Sequence, residues 1–104
     1  MNFHEKVYKV LSEITDLLVS KNLKYGNSAL EPIGIFSKLD PREGLLIRID
    51  DKLKRIKNGS LEKDDEDVIN DLIGYLVLLK IQTQEERYKR NRENRLKNRI
   101  ANED

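Results

Sequence analysis

The sequence contains no cysteine, only one histidine, two prolines and five glycines in 104 residues. Without cysteine there is no disulfide framework and no thiolate metal site, and the redox compartment stays open. The single histidine, His4, excludes a histidine-rich metal site, and it lacks a serine partner for a nucleophilic triad. No glycine-rich phosphate loop occurs. No apolar run approaches the length of a membrane span. The first twenty residues mix Glu, Lys and Asp among the apolar ones, unlike a secretory leader. These absences lead us to expect a cytoplasmic protein without a membrane partner. Charge of one sign is also lacking. The net +1 argues against a whole-domain nucleic-acid clamp, because counterion release requires a clear surplus of Lys and Arg. Apolar residues are scarce as well, at 38%, matched by 38% charged residues. Such a chain buries a modest core, and a small helical domain of this kind is expected to form a homo-oligomer.

What is present is helical periodicity. Phe3, Val7, Val10, Ile14 and Leu17 step at four, three, four and three, with Leu11 and Leu18 widening the stripe. The best-defined segment is Asp40–Ile56. Asp40 caps it, Pro41 fits the first helical position, and Glu43 completes a capping box. Leu46, Ile49, Leu53 and Ile56 form its apolar stripe, and Asn58-Gly59 stops it. After Gly59, Ser60 or Asp64 opens the next segment, whose acidic run Leu61–Glu66 suits a helix amino terminus. Val68, Leu72, Tyr75, Leu76 and Leu79 are then its buried stripe. Gly74 within it costs roughly 1 kcal/mol relative to alanine, so a close helix crossing or a ligand must use the gap. The spacing predicts an all-α bundle of three main helices (about 2–20, 40–57 and 62–95) with an irregular connection at 21–39 that tucks Phe36 into the core. Residues 1–83 form the helical domain. Residues 84–104, rich in Arg and Lys, form a charged extension or arm that could make a weak nucleic-acid contact.

Three groups of residues carry chemistry. In Lys21-Asn22-Leu23-Lys24-Tyr25-Gly26, two lysines supply positive charge, a tyrosine stacks or donates, and a glycine lets backbone approach an anion; a helix-ending loop is the plainer reading. Arg48, Asp51, Lys52 and Arg55 lie on one face of the central helix. Asp67 and Asp71 lie one turn apart on the last helix, followed by Tyr75. If Asp50, Asp51, Asp67 and Asp71 faced each other across two helices, they could hold Mg²⁺. Arg48, Lys52 and Arg55 could equally neutralise the carboxylates with no metal.

Taken in order, Lys21-Asn22 with Tyr25-Gly26-Asn27-Ser28, Arg48 with Asp51-Lys52 and Arg55, and Glu66-Asp67 with Asp71-Leu72 and Gly74-Tyr75 resemble a small helical family. It is found mostly in phages and prophages and is called nucleotide-modification-associated domain 1. The resemblance spans Lys21 to Leu79. The family's third motif usually has Thr after Asp, whereas Val68 follows Asp67 here. The acidic helical pattern is also similar to the all-α nucleoside-triphosphate pyrophosphohydrolases, but their Glu-Glu-x-x-Glu helix is missing. Together with the residues, the resemblance implies a phage-type protein of the host cytoplasm that binds a phosphorylated nucleotide without hydrolysing it. Lys21, Lys24, Arg48, Lys52 and Arg55 would meet phosphate and Tyr25 or Tyr75 would stack on the base. Asp51, Asp67 and Asp71 would orient the cations or bond base and sugar edges. The alternatives are an Mg²⁺-dependent pyrophosphohydrolase built on Asp50, Asp51, Asp67 and Asp71, and a helical scaffold acting through the 84–104 arm.

Overall fold

The computed structural model describes residues 1–59 and 66–102, with the side chains of Glu66 and Asp67 outside that description. The expectations placed on Ser60 through Asp65, the acidic run among them, therefore lie outside the described residues. The fold is all-α: α1 (Phe3–Tyr25), α2 (Pro41–Lys57) and α3 (Glu66–Ala101).

Each helix starts and stops for a local reason. The Asn2 side chain accepts from the Glu5 N–H at 2.8 Å and caps α1. The helix does not end at Ser20 as its stripe suggested. Nothing in Lys21–Tyr25 breaks a helix, and the stop comes at Gly26, which takes the left-handed conformation (φ 60, ψ 40) and donates its N–H to the Asn22 carbonyl. Asn27 follows at φ 60, and its carbonyl accepts from Glu31 N–H at 2.9 Å. In α2, Asp40 Oδ1 accepts from the Arg42 N–H at 2.8 Å, with Pro41 at the first position. Helix α3 contains neither proline nor any glycine except Gly74, and it runs through the basic extension to Ala101 rather than ending at 95.

Helix α3, 36 residues long, is the spine. Helices α1 and α2 both pack on it and make no backbone approach to each other. Contacts between α2 and α3 are antiparallel: the Arg42 guanidinium donates to Thr83 Oγ1 at 2.9 Å near one end, and Lys52 meets Asp71 near the other. Fully buried Leu45 and Val68, with Ile49 and Ile14, make up the core among the described residues. The buried face of α2 therefore centres on Leu45 and Ile49; Leu53, expected in the stripe, is 49% exposed. Leu45 and Ile49 are four apart, so they share one line down the helix, and that line faces α3.

Two further expectations fail. Phe36 is fully exposed rather than in the core, and Ile33 and Ile35 beside it are exposed too. The connection after Gly26 bridges two helices whose backbones do not approach each other, so it has no shared interior to enter. Leu76, placed in the α3 stripe, is half exposed, because α2 sits on the Val68 and Gln82 side of the helix. Gln82 is buried there, and its Nε2 donates to Glu86 at 2.6 Å.

Candidate functional site

Because α1 and α2 stand apart on α3, a cleft opens between them with α3 as its floor. It encloses about 420 Å³ and is lined from α1 by Leu17, Leu18, Lys21, Asn22 and Tyr25. The turn after α1 contributes Ser28 and Ala29, and α2 contributes Arg48. The floor is Asn70, Asp71, Gly74, Tyr75 and Leu78, one face of α3 at steps of three and four. Gly74 sets the position of the α1 wall. A Cβ on this residue would lie 3.2 Å from Leu18 Cδ2, so a close helix crossing uses the gap that the sequence left open.

Asp71 ties the three helices together. Its Oδ1 accepts from Lys21 Nζ of α1 at 3.1 Å, and its Oδ2 is 3.2 Å from Lys52 Nζ of α2. Partial burial pushes the Asp71 carboxyl up, but the hydrogen bonds and charges of Lys21 and Lys52 outweigh that and hold it below its ordinary value. Across the cleft the Arg48 guanidinium lies 6.0 Å from the centre of the Tyr75 ring, within cation–π range. It has no carboxylate partner among the described residues.

Of the ten residues singled out in the sequence, Lys21, Tyr25, Arg48, Asp71 and Tyr75 line this one cleft, and Lys52 joins it through Asp71. Lys24 turns its ammonium over the Tyr25 ring at 5.5 Å, outside the lining. Asp51 and Arg55 are exposed on α2 and do not line it. Arg55 is seven residues from Arg48, about 10 Å further along the axis. The Asp67 side chain is outside the described residues. Asp50 is exposed and Asp71 is already held by two lysines, so these carboxylates do not converge. Among the described residues no group of three or more acidic or imidazole side chains comes together. Asn70 was not singled out. It lies one residue before Asp71, and only the orientation of α3 shows that it faces the cleft.

The charge of the site differs from that of the chain. Lys21 and Lys52 hold one carboxylate and Arg48 lines the same cleft, a local surplus of positive charge in a protein whose net charge is only +1. Arg48 and Lys21 are both donors in the lining, which also contains Tyr25 and Tyr75. No protein-family model matches the chain, and the comparisons with curated proteins and with solved structures likewise yield no match.

Proposed function

We propose that the chain binds a phosphorylated nucleotide in the α1–α2–α3 cleft and holds it rather than cleaving it. The observation that carries this reading is the gathering of two cations, Lys21 and Arg48, one carboxylate and two tyrosines around one hollow of about 420 Å³, with Lys52 behind the carboxylate, a size suited to a small organic ligand. Arg48 and Lys21 take the phosphate, the guanidinium through paired N–H donors and the ammonium as a point charge. Tyr75 keeps the guanidinium in place from one face. Tyr25, 58% exposed on the α1 wall, stacks on the base, and Asn22 and Asn70 offer amides to base or sugar edges. Asp71 orients the lysines. Its carboxylate is occupied by them, which favours binding over metal-assisted hydrolysis. The resemblance to the phage family adds a biological sense: removing or presenting a nucleotide signal in the host cytoplasm.

Calorimetric titration with nucleoside mono-, di- and triphosphates and cyclic dinucleotides tests the proposal. Saturable binding is expected for at least one of them. Arg48→Ala weakens it by about tenfold or more, the equivalent of one charge-assisted hydrogen bond. Recovery of the intact nucleotide after denaturing the complex distinguishes holding from hydrolysis. No heat with any member of the panel, or equal binding by Arg48→Ala, contradicts it.

A further inference from the structure

The surface of this chain is too large for its mass. It exposes 8981 Å², whereas a folded monomer of 12.2 kDa exposes about 6,100 Å². The radius of gyration is 18.2 Å against about 13 Å for a compact domain of this length. Two unpartnered elements contribute to the surplus of about 2,900 Å² per chain, beside the exposed connection that carries Phe36. One is the first half of α1. The regular four-three stepping of its stripe continues from Ile14, 4% exposed, out to Val10, Val7 and Phe3, which are 48%, 39% and 81% exposed. Such a seam is built to meet another helix. The other is α3 beyond Thr83, a stretch of about 27 Å that runs on past the Arg42–Thr83 hydrogen bond.

We infer that a second copy of this chain covers both elements, with the α1 seam of each copy packed along the α3 extension of the other. Three observations and one symmetry argument favour a second copy as the occupant. Tyr88 and Leu96 are exposed and lie 14 and 22 residues beyond Gly74, which brings each back to within about 40° of the α1-facing side of α3 at 100° per residue. The extension therefore presents, unoccupied, the same side that α1 uses within the chain. A two-fold axis makes the exchange mutual and closed, so neither element is left over. Charge agrees over the seam itself: residues 84–101 hold seven Arg and Lys against three Glu, while residues 3–16 of α1 hold Glu5, Glu13 and Asp16 against Lys6 and Lys9, with Lys21 and Lys24 lying beyond it. Area agrees too. Removing half of the surplus from each copy would bury about 2,900 Å² in all, the size of an obligate homodimer interface. This inference does not depend on what the cleft binds.

Sedimentation equilibrium of the full chain, with thermal unfolding over about a hundredfold range of concentration, tests it. The expected result is a mass at least twice the 12.2 kDa of one chain and a Tm that rises with concentration. Val10→Cys supplies a gentle reporter in a chain that has no other thiol. Its reaction with a maleimide should slow at least tenfold on going from dilute to concentrated protein, and Leu96→Glu should restore the fast rate. A single-chain mass with a concentration-independent Tm overturns the inference. So does a Val10→Cys thiol that reacts equally fast at both concentrations, which would place any assembly on another face. Recovery of the chain at single-copy mass in complex with a different protein overturns it as well.

Discussion

At the residue scale, Asp71 is the point where a single atom group joins three helices, and its energetics are open to a pH experiment. Its folded pKa lies below the ordinary value because of Lys21 and Lys52. A carboxyl lowered on folding contributes stability that is present above the unfolded pKa, about 3.9, and is lost as pH falls through the folded value. Acid unfolding monitored by circular dichroism should therefore show a stability loss below about pH 4 that Asp71→Asn removes. At neutral pH the same variant costs about 1–3 kcal/mol, since Lys52, mostly buried, loses its charged partner. Lys21→Ala costs less, about 0–1 kcal/mol, because nearly half of that side chain is in water. If the cleft takes phosphate, Asp71→Asn also releases both lysines toward the ligand and tightens binding several-fold while lowering stability. A purely structural ion pair would lower stability and leave binding unchanged.

At the element scale, the α1–α3 crossing rests on Gly74 and Leu18. Alanine at 74 gains about 1 kcal/mol of helix propensity but brings its Cβ to 3.2 Å from the end of a half-buried leucine. Moving Leu18 by the few tenths of an ångström required offsets most of that gain, so Gly74→Ala should alter stability by less than about 0.5 kcal/mol. Gly74→Leu pushes the two helices apart and should cost about 1–3 kcal/mol. Chemical denaturation of the two variants checks this, with the leucine variant also losing the cleft ligand. The helices themselves were legible in the sequence because their cues are local. Asp40-Pro41 opens α2, Asn58-Gly59 closes it, and the lack of any breaker after Gly74 carries α3 through its basic extension. The end of α1 was misread because Lys21–Tyr25 departs from the apolar stripe without breaking the helix. Periodicity reports which face is buried, whereas only Gly26 reports where the backbone turns. Phe36 had no periodic neighbours to orient it, so its apolar character alone pointed inward. In the site, Lys21, Arg48, Asp71 and Tyr75 could be read because each stands near a turn or at helical spacing from another charged or aromatic residue. Asn70 and the exclusion of Arg55 depend on how far each helix slides along α3, and no residue spacing encodes that.

At the scale of the whole molecule, two helices lean on a third that is longer than either, leaving a cleft between the supports and bare helix at both outer ends. The first feature creates the proposed ligand site. The second leaves apolar residues from Phe3 to Ile100 in water, which is why Tm is expected to rise with concentration for the wild-type chain. These features also bear on each other, since α1 supplies both the cleft wall at Lys21 and the seam at Val10. A partner that fixes the seam would hold the wall, and ligand binding should then strengthen as the chain assembles. The most direct test of the central claim is an amide ¹H–¹⁵N spectrum recorded through titration with the nucleotide that calorimetry selects. The account predicts saturating shifts at Asn22, Ser28, Arg48, Asp71 and Gly74, with the amides of residues 92–101 following only if assembly changes. Shifts confined to the basic extension, or none around Gly74, would contradict it.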